Sequence, residues 1–177
     1  MKLPEFDQAS VLVVGDLMLD RNWQGRTSRI SPEAPVPVVH VDGVEDRAGG
    51  AGNVALNIAA LGSKSTVMGY VGKDDAASSL QGLLENAGVS CQFEQLDGQP
   101  TITKLRVLSR HQQLIRLDFE KGFHDLPIEA LLMRFNSALM NHDVVILSDY
   151  DKGTLASVQQ LILAAKAAGK KVLIDPK

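Results

Sequence analysis

The chain has 177 residues, of which 45% are hydrophobic and 22% are charged, and its formal net charge is −3. This composition is typical of a soluble globular domain, and without a basic excess a nucleic-acid partner is not expected. The single cysteine, Cys91, excludes a disulfide within the chain, and no apolar run approaches the ~18 residues of a membrane span. The N-terminal stretch "MKLPEFDQAS" lacks the apolar core of a signal peptide. We therefore expect a cytoplasmic protein that binds neither nucleic acid nor membrane.

The first half of the chain alternates apolar runs with helical patterns. "SVLVVGD" and "STVMGYVG" predict two buried strands. One helix is predicted over 53–61, and a second over "DDAASSLQGLLENAG", with Asp74 or Asp75 as its N-cap and Gly88 after its last turn. The intervening stretch 17–47 is polar and rich in proline, and only "VPVVHV" within it is assigned as a strand.

Three strand-like runs come next, "CQFEQL", "TITKLRVLS" and "QLIRLDFE", with an Asp-Gly turn signal between the first two. Period two places Lys104 and Arg106 on one face of the middle run and Leu105 and Val107 on the other. These runs predict a small antiparallel sheet. The alternation then resumes with the helix "PIEALLMRFNSALM", the strand "DVVILSD", the helix "TLASVQQLILAAKAAG" and the strand "KKVLIDPK".

Strands that alternate with helices indicate a fold of the α/β class. The predicted architecture is a mostly parallel central sheet with helices on both faces and a small antiparallel sheet at its edge. The sequence stops at Lys177, directly after a core strand, where a covering helix would be expected. We therefore interpret residues 1–177 as the N-terminal part of a larger domain.

Three carboxylates follow three of the predicted central strands. Asp16 follows "VLVVG", Asp149 follows "VVILS" and Asp175 follows "VLI". In open α/β sheets, ligands bind beyond the carboxyl ends of the strands, so these side chains are expected to line one edge. Each one alone is best explained as the cap of the next turn. All three together favour a polyhydroxylated ligand, although carboxylates also suit a metal ion.

The stretch "DRAGGAGNVALNIAALG" contains G-A-G-N-V-A, which is close to the dinucleotide-binding pattern. That pattern needs a strand running straight into the glycines, and the nearest predicted strand ends near Val41. A helix N-terminus with free N–H groups remains, where Gly49, Gly50 and Gly52 allow a close approach and Asn53 adds an amide. This end of the helix is predicted to hold hydroxyl groups. The alternative is tight packing of the helix on the sheet.

The segments "VVGDLMLD", "RAGGAGNVALNIAALG", "SDYDKG" and "VLIDPK" together resemble the ribokinase-like (PfkB) family of carbohydrate kinases. The stretches S-R-I-S-P-E-A-P-V-P-V and T-K-L-R-V resemble its heptose-phosphate kinase branch, whose members also carry an adenylyltransferase domain. The resemblance runs over essentially the whole chain. It implies a ribokinase-like fold, with a β lid formed by segments of about 17–47 and 90–119, and the use of ATP with Mg²⁺.

The activity implied by this resemblance is ATP-dependent phosphorylation of D-glycero-β-D-manno-heptose 7-phosphate at C1, a step in ADP-heptose and lipopolysaccharide core biosynthesis. By the family pattern, Asp16 would bind sugar hydroxyls together with Gly49, Gly50 and Asn53. The lid would close over the sugar phosphate and often forms a homodimer interface. Within the lid, the candidates for the phosphate of the substrate are Lys104 and Arg106.

Four further residues are candidates for the rim of the site or for phosphate contacts: Asp149, Lys152, Asp175 and Lys177. The general base of the family lies in a G-A-G-D motif, which these 177 residues do not contain. We therefore assign no catalytic residue and expect this chain alone to be inactive, with the rest of the kinase domain and the adenylyltransferase domain absent. Alternatives are a non-catalytic sugar-phosphate binding module and a dimerisation module, with an NAD-linked oxidoreductase less favoured.

Overall fold

The computed structural model describes residues 6–110 and 112–176, which form two β-sheets and four helices. The central sheet contains β1 (Ser10–Gly15), β4 (Lys64–Gly72), β5 (Ser90–Leu96), β8 (Val144–Ser148) and β9 (Lys171–Asp175). Its strand order is β5-β4-β1-β8-β9, and every neighbouring pair is parallel. The predicted parallel sheet is therefore confirmed.

The helices are α1 (Ala51–Ala60), α2 (Asp75–Asn86), α3 (Glu129–Leu139) and α4 (Val158–Ala167). Successive residues of β1 point to opposite faces of the sheet and so enter different cores. Leu12 belongs to the hydrophobic cluster that includes Phe135 of α3, whereas Val13 belongs to the cluster that includes Leu80 of α2. The central sheet is thus covered on both faces, as the alternating pattern predicts. None of the helices in the described ranges is both long and apolar enough to span a membrane.

A second sheet lies beside the central one. It contains β2 (Leu17–Ile30), β3 (Pro37–Gly50), β6 (Thr103–Ser109) and β7 (Gln112–Phe119), in the order β3-β2-β6-β7. The outer pairs are antiparallel, but β2 and β6 run parallel. The second sheet is therefore mixed, and the prediction of a purely antiparallel sheet is wrong in this respect.

Two other details of the sequence-based prediction are also corrected. The strand β2 was not predicted, because much of its outer half is polar or charged and exposed. The run "CQFEQL" was placed in the small sheet, but as β5 it pairs with β4 at the edge of the central sheet. The period of a short strand identifies its two faces, not its neighbour.

Candidate functional site

A cavity of about 740 Å³ opens between the N-terminal end of α1 and one face of the second sheet. Several residues predicted from the sequence line it together, namely Gly49, Gly50, Asn53, Lys104 and Arg106. Other lining residues were not predicted, among them Met18, Asp20, Arg47 and Tyr150. The cavity therefore combines a helix N-terminus with a charged sheet face.

The glycines form the junction between β3 and α1. Gly50 has a φ of 55°, and a Cβ at this position would overlap the backbone oxygen of Asp16. The N–H of Ala51 donates to that same oxygen over 2.9 Å. No side chain caps α1, so N–H groups of its first turn are available to a ligand. Although β3 does run straight into the glycines, it is antiparallel to β2 in the second sheet, unlike the strand of a dinucleotide-binding unit.

The charged face of the second sheet carries alternate residues of β2 and β6. Asp20 is paired in register with Lys104, and Arg106 donates from Nη1 to Asp20 Oδ1 over 2.5 Å. Lys104 Nζ lies farther from its acidic neighbours, 3.4 Å from Asp118 Oδ2 and 3.8 Å from Glu120 Oε2. The placement of Lys104 and Arg106 on one face, predicted from period two, is confirmed.

Lys104 and Arg116 also affect the ionisation of Asp118. Burial tends to raise the pKa of Asp118, but the positive charges of Lys104 and Arg116 outweigh burial and lower it. Asp118 therefore stays negatively charged to a lower pH than an ordinary aspartate. It holds Lys104 beside the cavity but leaves it only loosely bound.

Two carboxylates that line the cavity, Asp20 and Asp46, were missed by sequence reasoning, and Asp20 is the one bound to Arg106. It lies four positions after Asp16 in the same "GDLMLD" segment and reaches the cavity because β2 continues past the end of β1. The position of Asp20 was missed because the strand β2 itself was not predicted. Once 17–30 is known to be extended, alternation places Asp20 on the face opposite Arg21.

Asp16 lies elsewhere, and its position argues against the predicted contact with sugar hydroxyls. Its side chain is completely buried and is not part of the cavity lining. Its carboxylate accepts three backbone hydrogen bonds, from Tyr150 (2.8 Å), Lys152 (3.0 Å) and Thr154 (3.0 Å). Oδ2 accepts two of these bonds and Oδ1 accepts one, so the buried carboxylate is directed at the backbone of the chain rather than at the cavity.

Three of the predicted rim residues, Asp149, Lys152 and Asp175, lie at one edge of the central sheet but do not line the cavity. Asp149 and Asp175 end neighbouring strands, and the N–H of Asp149 donates to the backbone oxygen of Asp175 over 2.9 Å. Lys152 Nζ lies 3.0 Å from Glu120 Oε1, at the end of β7. Lys177 lies outside the described residues.

The central parallel sheet with helices on both faces has the form expected from the predicted ribokinase-like fold. Residues 8–177 match the family described as pfkB family carbohydrate kinase. The chain belongs to this family.

Relatives within the family carry the name Bifunctional protein HldE. The chain is 61% identical over 175 residues to the protein of that name from Alkalilimnicola ehrlichii and 59% identical over 175 residues to the one from Escherichia coli O1:K1. Each alignment covers 99% of this chain and 37% of the relative. The chain therefore spans little more than a third of the length of these curated relatives.

Solved structures of lower sequence identity share the fold. A carbohydrate kinase from Agrobacterium tumefaciens superimposes with a TM-score of 0.72 at 20% identity, over 94% of this chain and 53% of that one. The Arabidopsis thaliana ribokinase complexed with ribose and ATP gives 0.67 at 18% identity, over the same two shares. The predicted ribokinase-like fold is therefore confirmed.

Proposed function

We propose that the full-length protein containing this chain phosphorylates D-glycero-β-D-manno-heptose 7-phosphate at C1, with ATP as the phosphoryl donor. The product would be the 1,7-bisphosphate, used for ADP-heptose and the lipopolysaccharide core, and the reaction would take place in the cytoplasm. Membership of the pfkB family and the identity to proteins named HldE support this proposal. The observation that carries it is the cavity, where Asp20, Asn53, a helix N-terminus and several cations converge.

Sugar hydroxyls would be held by Asp20 and by the start of α1. Arg106 occupies Oδ1 of Asp20, which orients the carboxylate and leaves Oδ2 free to accept a hydroxyl. Asn53 can both donate and accept, and glycine at positions 49 and 50 allows the sugar to approach the backbone. These groups suit a polyhydroxylated ligand. They supply binding and orientation rather than chemistry.

Among the cations of the second sheet, Lys104 is the better candidate for the phosphate of the substrate. Arg106 is bound to Asp20, and moving it would leave that carboxylate without its partner. Lys104 Nζ lies 3.4 Å from Asp118 Oδ2 and 3.8 Å from Glu120 Oε2, so a phosphate could draw it away at little cost in free energy. Arg47 is mostly exposed at the same cavity and could swing toward the phosphate.

ATP and Mg²⁺ are expected from the family, and ATP would supply the transferred phosphoryl group. Across residues 6–110 and 112–176 there is no group of three or more His, Cys, Asp or Glu side chains that could hold a metal ion. Asp149, Lys152, Asp175 and Lys177 remain predictions for the rim of the site.

The test is an assay of the full-length protein with ATP and the heptose 7-phosphate, with phosphorus NMR to identify phosphorylation at C1. Lys104→Met should lower kcat/KM for the 7-phosphate by about 30-fold but change that for the unphosphorylated heptose less than about threefold. Lys73→Met is the matched control, because Lys73 pairs with Asp97 on an exposed loop.

Equal losses on both sugars would contradict the phosphate contact of Lys104. Sugar-phosphate binding without turnover would favour the non-catalytic binding module. A full-length protein that neither binds nor phosphorylates the heptose 7-phosphate would overturn the proposed function as a whole.

We also propose that the opposite face of the second sheet pairs with a second copy of the chain. This face carries a continuous set of partly or largely exposed apolar side chains, namely Trp23, Val44, Ile115, Leu117 and Phe119. Its charged residues, Arg21 and Asp46, neutralise each other within the chain. An identical copy would offer the same apolar surface, as a two-fold interface requires.

Sedimentation of the full-length protein tests this homodimer. Ile115→Lys and Leu117→Lys together should shift the dimer toward monomer by about tenfold or more in dissociation constant. Leu61→Lys is the control, since Leu61 is exposed at the end of α1, away from this face. A monomeric wild-type protein, or an unchanged dimer in the double variant, would refute the interface.

A further inference from the structure

The loop that follows β8, residues 149–154, wraps around the buried carboxylate of Asp16. Its N–H groups at positions 150, 152 and 154 all point at that carboxylate. Asp151 and Gly153 between them have positive φ values of 57° and 102°. Such alternation turns every second N–H inward and makes a concave site for an anion. Here the anion is a side chain of the protein itself.

The loop has two points of contact with the proposed site. Tyr150 lines the cavity beside the start of α1. Lys152 binds Glu120 at the end of β7 in the second sheet, and Glu120 also lies 3.8 Å from Lys104. The arrangement of this loop therefore determines both a cavity wall and a contact between the two sheets.

We infer that Asp16 is a positioning residue, which fixes the loop of residues 149–154 and through it places Tyr150 at the cavity and Lys152 against Glu120. Positive φ is uncommon outside glycine, although aspartate tolerates it better than most residues, and the three hydrogen bonds to Asp16 hold Asp151 and Gly153 in this conformation. The effect on catalysis rests on the proposed function. The effect on the loop does not.

The first experiment measures amide hydrogen exchange in the full-length protein. In Asp16→Asn, an NH₂ group replaces one acceptor oxygen and faces a backbone N–H, so exchange at positions 150, 152 and 154 should rise at least about tenfold. Exchange in β4 should not change. Asp143→Asn is the matched control, because Asp143 also accepts a backbone N–H, from Ser10 over 2.9 Å, at the opposite edge of the central sheet.

Unchanged exchange at these three amides in Asp16→Asn would overturn the inference. If the Asp16→Asn variant does not fold, amide exchange in the wild-type protein tests the inference instead. Its amides at 150, 152 and 154 should exchange at least about a hundredfold more slowly than in an unfolded chain, although Tyr150 is exposed. Unprotected amides would overturn the inference equally.

The second experiment separates a role through the loop from a general loss of structure. Asp16→Asn should raise the KM for the heptose 7-phosphate about fivefold with a smaller effect on kcat. In a protein that already carries Tyr150→Ala and Lys152→Met, the same change should alter KM less than about twofold. Additive effects would overturn the inference. A wild-type protein without heptose kinase activity would refute the proposed function, and the exchange experiment would still decide the role of Asp16.

Discussion

Gly49 and Gly50 are adjacent but are required for different reasons. At Gly50 the backbone has positive φ and a Cβ would meet the backbone of Asp16, so alanine should destabilise the fold by about 2 kcal/mol or more. At Gly49 a Cβ would lie 2.6 Å from Oδ2 of Asp20, which is the end of a side chain that can shift, and 2.8 Å from Cγ of the buried Met18. Gly49→Ala should therefore cost less than Gly50→Ala, about 1 kcal/mol, but displace Asp20 and raise the sugar KM about tenfold.

Urea unfolding and steady-state kinetics of both variants check this prediction. Gly82→Ala is the control, because Gly82 lies inside α2 with open space around it and alanine there should stabilise by about 0.5–1 kcal/mol. Equal stability losses at positions 49 and 50, with unchanged sugar kinetics for Gly49→Ala, would refute the distinction.

Cys91 should be unreactive at neutral pH. Burial, together with the nearby charge of Glu85, raises the pKa of its thiol to about 12. Because only the thiolate is nucleophilic, alkylation at about pH 8 should be at least about a hundredfold slower than for an exposed cysteine. The rate should keep rising with pH beyond the ordinary thiol range of about 8.5. Alkylation of the folded protein, followed by mass spectrometry, measures the rate, and a plateau near that ordinary value would contradict the prediction.

The roles of individual residues were only partly predictable from the sequence. Period two was sufficient to place Lys104 and Arg106 on the same face of β6, because the face of a strand follows from local spacing. Asp16 was different, since its three hydrogen-bond donors lie 134, 136 and 138 positions away along the chain. Such a contact depends on the pairing of β1 with β8 and leaves no local sequence signal.

Apart from β5, which was assigned to the wrong sheet, the elements of the central sheet and its helices were predicted well, because their apolar periods are strong. The N-cap of α2 shows how such an element is also tied to the rest of the chain. Asp74 caps the helix through Ala77 N–H over 2.9 Å, and also accepts from Thr101 N–H and Oγ1, each over 2.7 Å. It therefore fixes both the start of α2 and the segment that leads into β6.

Asp74→Ala should destabilise the protein by about 2–3 kcal/mol, more than a simple cap, because Thr101 also loses its acceptor. Asp97→Asn is the control, since Asp97 makes only an exposed ion pair with Lys73 and should change stability by less than about 0.5 kcal/mol. Urea titration measures both, and equal effects in the two variants would contradict the role of Asp74.

The pH dependence gives a second check on Asp74. Burial alone would raise its pKa, but hydrogen bonds from Thr101 and Ala77 outweigh burial and lower it. The unfolded chain therefore binds the proton more readily, and this stabilisation is present above the unfolded pKa of about 3.9. It is lost as the pH falls through the lower folded pKa. Asp74→Asn should remove this part of the acid-induced loss, and an unchanged acid profile would argue against it.

The two sheets are connected by more than the chain that links them. Arg21 of β2 binds Asp46 of β3 through two hydrogen bonds of 2.7 Å and extends to Asp75 and Ser79 of α2 at 3.3 and 3.2 Å. The hydrogen bond from Arg21 to Asp46 is the largest cause of the raised pKa of Arg21, so Arg21 keeps its positive charge in the folded protein. This cluster attaches the second sheet to the helix layer of the central one.

Arg21→Met should therefore destabilise the protein by about 1.5–3 kcal/mol, because Asp46 would be left partly buried without its partner. The loss should be uneven, with amide exchange rising more in β2 and β3 than in β1 and β4, since the second sheet loses its attachment to α2. Arg26→Met on the same strand is the control. Arg26 is exposed, and its Nε lies 3.9 Å from Oδ2 of Asp42. If both variants behave alike, or if exchange rises equally in the two sheets, Arg21 does not join them.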